Sequence, residues 1–354
     1  GPYPRVARLA RSNIKSDPRS GSAFLFLDAM IPQSQSRRSA AWNDARTRPA
    51  EMPDHFFFTP ENVLIQSGGT LTYFGEKSPT EIEAIIYRAA TEKRDPHKPV
   101  SLSSVISKTE YLNKVNRIKD LLQQGDIYEI NFCQNFTGQF EEINSFETFV
   151  KLTKLTNAPF STYFTFNDLS ILSASPERFI KRKNTKILSQ PIKGTARRST
   201  DYIEDQIILT QLKNNEKEIS ENVMIVDLVR NDLSKIASKS SVNVDKLTEL
   251  HSFKSVHQLI STISCFVEHD TKENKIFESL FPMGSMTGAP KYRAMEIAEE
   301  LESFKRGLYA GAMGYFAPNG DFDFNVVIRT LIANFTKKSI NAPVGGAITI
   351  NSNP

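Results

Sequence analysis

The hexapeptide Gln190-Pro-Ile-Lys-Gly-Thr195 sets one lysine, Lys193, between a proline and a glycine in an otherwise uncharged segment that reads as a turn. Withdrawn from water, an ammonium loses its preference for the charged form, and a neutral amine is a nucleophile or a base. Taken alone, such a lysine is an ordinary solvated turn residue. A second candidate is the pair Glu218 and Glu221, three apart in a helical stretch, so that both side chains share one face. Like charges at that spacing destabilise a helix unless something offsets them. Mg²⁺ would do so, because it takes carboxylate and water oxygens and often needs only one or two protein carboxylates plus a substrate anion. The polar run 213–221 also suits a solvated helix face, but Val223-Met-Ile-Val226 follows at once and carries the helix into a core.

Elements that could hold these groups are readable from periodicity. After Thr109, the residues Tyr111, Val115, Ile118, Leu121 and Leu122 recur at helical spacing, Gly125-Asp126 ends the helix, and Ile127-Tyr-Glu-Ile-Asn-Phe-Cys133 alternates as a strand does. Short strands are expected at 161–166 and 171–174. One long helix is expected from about 202 to 228, and another starting at Gly288-Ala-Pro290 with Ala294, Ile297, Ala298 and Leu301 inward, where Pro290 suits the first turn. Further strand-like segments lie at Val256–Phe266, 310–316, 324–333 and 347–350. Without regular βαβ alternation, this order predicts an α+β fold: large, mainly antiparallel sheets with flanking helices. Residues 1–100 read as an irregular N-terminal region with strands at Ala23–Leu27 and His55–Phe58, and 101–354 as the functional body.

Composition narrows the classes. With 354 residues, 39% hydrophobic and 24% charged, the chain can bury a large core. No stretch approaches the roughly 20 apolar residues that span a bilayer. Arg5, Arg8, Arg11 and Lys15 ahead of 23–27 imitate a signal peptide, but Asp28 breaks the apolar run and no small-residue cleavage site follows. A cytoplasmic location is expected. Cys133 and Cys265 cannot form a disulfide framework and have no metal-ligand spacing, so both are expected in the core. Residues 1–50 hold nine Lys/Arg against three Asp/Glu, which makes the rest of this +4 chain close to neutral. No aromatic-interleaved basic motif accompanies that arm, and nucleic-acid binding is not expected.

Six ordered motifs carry a family resemblance: Ser175-Pro-Glu-Arg-Phe179, Pro191-Ile-Lys-Gly-Thr195, Glu221-Asn-Val-Met-Ile-Val-Asp-Leu-Val-Arg-Asn-Asp232, Gly284-Ser-Met-Thr-Gly-Ala-Pro-Lys291, Tyr309-Ala-Gly-Ala-Met-Gly-Tyr315 and Ile328-Arg-Thr330. Together they resemble the chorismate-utilising enzymes, most closely component I of the aminodeoxychorismate synthases, over roughly 109–350. The resemblance implies a β-sandwich core like that of anthranilate synthase component I and an amination of chorismate to 4-amino-4-deoxychorismate, towards p-aminobenzoate and folate. It implies that Lys193 adds to ring carbon C2 and expels the C4 hydroxyl, that Glu177 is the general acid/base for that departure, and that Glu218 and Glu221 hold Mg²⁺. Arg329 and Tyr309 are implied for the enolpyruvyl carboxylate, with the N–H groups of Gly345 and Gly346 approaching it, and Ser285 for the ring carboxylate. Ammonia is implied to come from a separate glutamine amidotransferase subunit, since neither cysteine lies in a Gly-x-Cys-x-Gly elbow.

Three positions separate relatives. Water-adding members carry a lysine where this chain has Glu129, and ammonia-using ones usually a glutamine; anthranilate synthases carry a histidine at the position of Gln258 and alanine at that of Lys193. The resemblance therefore favours ammonia as nucleophile and retention of the enolpyruvyl group, with His257 a core histidine. Anthranilate synthase component I is the alternative enzyme, and a non-catalytic chorismate- or tryptophan-binding homologue the alternative from another class. Relatives continue into an acidic helix that completes the metal site, whereas this sequence stops at Pro354 after Gly345-Gly346; a complete sequence would hold the metal weakly, a chain with a tail removed would be intact in its natural form, and the opening Gly1-Pro2, which reads as an expression scar, is consistent with an edited chain.

Overall fold

The computed structural model describes residues 23–27, 52, 55–67, 69–91 and 99–352. The basic arm therefore lies outside the described residues. The strands, in chain order, are β1 (Ala23–Leu27), β2 (His55–Phe58), β3 (Val63–Ser67), β4 (Thr70–Phe74), β5 (Ser103–Ser104), β6 (Glu129–Gln139), β7 (Phe160–Phe166), β8 (Leu169–Ser175), β9 (Arg178–Lys183), β10 (Lys186–Gln190), β11 (Ile192–Arg197), β12 (Asn243–Ser252), β13 (Val256–Phe266), β14 (Gly288–Ala289), β15 (Ala312–Phe316), β16 (Phe322–Val326), β17 (Thr330–Asn334) and β18 (Ser339–Thr349). The helices are α1 (Pro79–Thr91), α2 (Lys108–Gln124), α3 (Ser145–Thr156), α4 (Tyr202–Lys213), α5 (Glu216–Ser234), α6 (Glu273–Leu280) and α7 (Lys291–Leu301).

Two antiparallel sheets build the body. The larger has nine strands in the order β11-β13-β10-β9-β16-β15-β1-β2, with β12 also on β13; the smaller has seven, β14-β6-β18-β17-β8-β7, with β5 on β6. They meet face to face where Leu169, Ile171 and Ile332 of the smaller sheet pack with Met313, Val327 and Phe56. The helices cover the outer faces: α5 and α6 bring Ile225, Val226, Val229, Ile276 and Phe277 onto Ile180, Ile187 and Phe324 of the larger sheet, and α2 and α7 bring Val115, Ile118, Ala294 and Ile297 onto Ile130, Phe132 and Ile348. The expected α+β sandwich is the observed one. Among the described residues no helix is long and apolar enough to cross a membrane. Both cysteines are free and buried, as expected.

The strand expected over 324–333 is two, β16 in the larger sheet and β17 in the smaller, and two helix ends also differ from the sequence reading. The helix expected as one piece over 202–228 is two, because Asn214 ends α4 and the Asn215 side chain accepts the Glu218 N–H and starts α5. Pro290 is the extended residue ahead of α7 rather than a residue of its first turn.

Candidate functional site

The site forms where the chain twice crosses from one sheet to the other. Between β8 and β9 it passes from the smaller to the larger sheet through Pro176-Glu177, and between β16 and β17 it returns through Val327-Ile328-Arg329. The crossings are adjacent: the Val326 N–H donates to the Glu177 carbonyl at 3.1 Å, and the Ala174 N–H to the Arg329 carbonyl at 3.1 Å. Glu177 and Arg329, far apart in sequence, thus stand side by side. Arg329 has φ +51°, a left-handed conformation that ordinary residues adopt only when their surroundings impose it. The residue is exposed, and its guanidinium makes no hydrogen bond among the described residues.

Glu177 is buried, and Ser285 Oγ donates to its Oε1 at 2.6 Å. Burial pushes its carboxyl up to about 7, against the opposing pull of the Ser285 hydroxyl, the Lys193 charge, the Ile192 N–H and the Arg329 charge. Its neighbour Arg178 is structural, pairing with Asp323 through Nε at 2.8 Å and Nη2 at 3.1 Å and lying over the Phe160 ring.

Lys193 is not in a turn. It lies in β11, an end strand of the larger sheet, where the pairing with β13 slips between Ile192 and Thr195. Such a bulge re-aims side chains, and Gly194, at φ +91°, is needed there, since a Cβ would sit 3.3 Å from Glu218 Cβ and 3.0 Å from Leu259. The side chain turns inward, only 10% exposed, and its Nζ donates to Glu129 Oε1 of β6, a carboxylate 1% exposed. That ion pair bridges the two sheets. Glu129 Oε2 is buried without a hydrogen-bond partner among the described residues.

Above this pair runs α5. Glu218 and Glu221 both belong to its first turns; Glu221 accepts from Thr349 Oγ1 at 3.2 Å and lies 3.8 Å from Lys217 Nζ. Burial first, and the Glu221 charge second, push the Glu218 carboxyl up, against the charges of Lys217 and Lys193. Among the described residues no three His, Cys, Asp or Glu side chains gather as a metal cluster. The two α5 glutamates offer hard oxygen donors to a cation, beside an open groove that Met224, Tyr128 and Thr349 help to line.

The remaining expected residues spread over this end of the sandwich. Ser285, in a short helical turn over 284–286, faces Glu177. Tyr309 is buried, burial raising its phenol well above the usual range, with Cys133, Arg306 and Glu302 around it. Gly345 lies against that cluster: a Cβ there would come within 2.7 Å of Cys133 Sγ and 3.2 Å of Tyr309 Oη, whereas one on Gly346 would meet nothing within 4 Å. Both glycines pair with β6, opposite Cys133 and Phe132. Successive N–H groups of a strand point to opposite edges, so one of the two points away from β6. The β17–β18 pairs run only from Ile332 opposite Asn341 to Asn334 opposite Ser339, and Arg329 and the two glycines all lie on the open side of that split.

His257 is a core histidine, as expected, held by Asp205 at 3.0 Å and Ser252 at 2.8 Å. Gln258 donates to Thr195 Oγ1 at 3.2 Å, and its Oε1 is buried without a partner among the described residues. Sequence reasoning overlooked Asn222, whose amide donates to the Lys193 carbonyl at 3.2 Å and accepts from Ser261 Oγ at 2.5 Å, fastening α5 to the bulge. Its signal was its place directly after Glu221.

The family description "chorismate binding enzyme" matches residues 17–354. Aminodeoxychorismate synthase component 1 of Salmonella typhimurium is 38% identical over 75% of this chain and 59% of its own, and the chloroplastic aminodeoxychorismate synthase of Arabidopsis thaliana 35% identical over 85% of this chain and 35% of its own. The chain thus spans from about a third to three fifths of the length of these relatives. Among solved structures, anthranilate synthase component I from Streptococcus pneumoniae superposes with a TM-score of 0.80 at 25% identity, covering 99% of this chain and 82% of the other. A family match running over nearly all of the sequence, on a fold that superposes on that synthase, means that the chain belongs to the chorismate binding enzymes.

Proposed function

We propose that the chain aminates chorismate, acting as the synthase component of an aminodeoxychorismate synthase that forms 4-amino-4-deoxychorismate from chorismate and ammonia. The observation that carries this reading is Lys193 and Glu177 facing one site between the sheets: an inward-turned amine, and a buried acid whose carboxyl is raised to about 7 and so keeps much of its proton near neutrality. Attack of the Lys193 amine at ring carbon C2 shifts the ring double bonds and expels the C4 hydroxyl, which takes the Glu177 proton and leaves as water. Ammonia then adds at C4 and displaces the lysine, and the Glu177 carboxylate recovers a proton from the incoming nitrogen. Both steps need a group that donates and later accepts, which a carboxyl with a pKa near the working pH does best.

Arg329 supplies a forked cation for a substrate carboxylate, matched in geometry to its two oxygens, and the open side of Gly346 leaves space beside it. The Ser285 hydroxyl donates a hydrogen bond to Glu177 Oε1, and its place beside that acid lets it turn to donate to a ring carboxylate instead. Glu218 and Glu221 fit Mg²⁺ as a partial donor set: two hard carboxylates whose mutual repulsion a cation would relieve, with coordination left for waters and a substrate carboxylate. When bound, the ion supplies positive charge to that carboxylate. Ammonia would come from a glutamine amidotransferase partner, and the product would feed p-aminobenzoate and folate synthesis.

The alternative is anthranilate synthase component I, favoured by the superposition on the streptococcal enzyme. It requires loss of pyruvate, for which the Gln258 amide is no acid or base. The experiment is mass analysis of the product formed from chorismate, Mg²⁺ and ammonium at alkaline pH. A product that retains the enolpyruvyl group is expected; anthranilate with pyruvate overturns the proposal in favour of the alternative, and tight chorismate binding without turnover makes the chain a binding homologue.

A further inference from the structure

The Lys193–Glu129 ion pair poses a chemical problem, because the amine that attacks carbon must first lose a proton. In the site as it stands the Lys193 ammonium donates to Glu129 Oε1 across the gap between the sheets, and its side chain is only 10% exposed, so water has little access to take that proton. Other charged groups near the pair are Glu177 from the β8–β9 crossing, with Arg329 of the β16–β17 crossing beside it, and Glu218 from α5, with Glu221 beside it. Of the carboxylates, Glu177 is bonded to Ser285 and carries the proton that the leaving hydroxyl needs, Glu221 lines the groove on the α5 side, and Glu218, whose carboxyl feels the charges of both Lys193 and Glu129, makes no hydrogen bond to the amine among the described residues. Among the described residues only Glu129 is hydrogen-bonded to the amine.

From this geometry we propose that Glu129 is the proton acceptor that converts Lys193 from ammonium to nucleophile, a catalytic part for the glutamate that rests on the reading of Lys193 as the attacking residue. Three features support it. The donor–acceptor contact exists before substrate arrives, so the proton moves along a formed hydrogen bond. Transfer turns a buried ion pair into a neutral pair, which no longer needs compensation for two desolvated charges. Among the described residues Glu129 Oε2 has no donor, so the carboxylate is held there by one oxygen, and protonation removes the charge that the second oxygen leaves unsatisfied.

The sequence balances. The Lys193 ammonium and the Glu129 carboxylate become amine and carboxylic acid; the amine nitrogen bonds to C2 while the C4–O bond breaks and Glu177 gives its proton to the departing hydroxyl, releasing water. The adduct is then protein plus chorismate less one water, with the lysine nitrogen positively charged. When ammonia adds at C4 the C2–N bond breaks and returns neutral amine; Glu129 gives back its proton to it, and the Glu177 carboxylate takes one from the new ammonium.

The test is the rate of adduct formation, read by intact-protein mass spectrometry and peptide mapping with chorismate and no ammonia, in wild type, Glu129→Gln and Glu129→Asp over a range of pH. Glutamine keeps the shape and the hydrogen-bond acceptor but cannot take the proton. Its adduct should form slower by roughly 10²-fold or more near neutral pH, the span of a positioned base. The ratio of wild-type to Glu129→Gln rates should then fall about tenfold per pH unit as hydroxide in solution takes over the deprotonation; taking the ratio cancels the titration of Glu177. Glu129→Asp, a carboxylate drawn back by one methylene, should slow the step and keep the wild-type pH profile, and it carries the test alone if Glu129→Gln does not fold. Equal rates in wild type and Glu129→Gln, or a ratio constant with pH, overturn the acceptor role while leaving Lys193 as nucleophile, as does a Glu129→Asp rate equal to wild type. Absence of any adduct on Lys193 in wild type removes the nucleophile, and its acceptor with it.

Discussion

Replacing Glu177 with glutamine converts its raised carboxyl into two measurable consequences. Burial lifts the group from 4.5 to about 7, so the folded chain holds the proton more tightly than the unfolded chain does. Stability from this group is fully present below pH 4.5 and is lost as the pH rises through 7, because the carboxylate formed there is the buried, poorly solvated form. The shift corresponds to about 3 kcal/mol. Glutamine has nearly the same shape and never ionises. Wild type and Glu177→Gln should therefore differ little at the acid end of this range, and above pH 7 the variant should be the more stable by up to about 3 kcal/mol, read by urea unfolding at a series of pH values. Turnover should move the other way, dropping by roughly 10²–10⁴ in the variant with chorismate affinity little changed, while wild-type turnover declines above pH 7 as the acid loses its proton. A stability difference that stays constant with pH refutes the buried-acid reasoning, and near-normal turnover with weakened binding would assign Glu177 to substrate recognition alone.

Ser285→Ala removes the hydroxyl that donates to Glu177 Oε1 at 2.6 Å and so favours its carboxylate; the alkaline fall in turnover should move to higher pH by about one unit, the worth of a hydrogen bond to a charged group, and a limb that stays put contradicts the coupling. In Glu221→Gln, chorismate turnover should be abolished with folding largely retained, since the charge that pushes Glu218 upward is gone; equal activity, or full wild-type activity in excess chelator, makes the pair a solvated helix face. Lys193→Ala should form no adduct with chorismate and keep at most slow activity at high ammonium, by direct addition at C4; an adduct that persists in this variant places the nucleophile elsewhere.

Local pattern was legible where local pattern sufficed. Ala23–Leu27, His55–Phe58 and Val256–Phe266 are strands at the bounds read from sequence, because alternation and turn residues are properties of short windows. The break in the helix at 214–215 was also written locally, in two adjacent asparagines that act as caps, but the hydrophobic run beyond them outweighed that signal. What no window contains is the site. Lys193 reads as a turn because proline and glycine flank it, yet the chain is kept extended by β13, and the slip in that pairing, not the proline, turns the side chain inward. The Lys193–Glu129 contact depends on how the two sheets pack, so the sequence could mark Glu129 as unusual without naming its partner. Arg329 shows the same logic from the backbone side: a left-handed residue costs roughly 1–3 kcal/mol, and the bond from Ala174 N–H to its carbonyl helps to hold it there. Glu177 is fixed by the reciprocal contact, Val326 N–H to its own carbonyl. Each crossing strand therefore braces the other's functional residue, and disturbing either corner should displace the acid and the guanidinium together, which makes the pair of crossings, rather than any one motif, the unit that positions the chemistry.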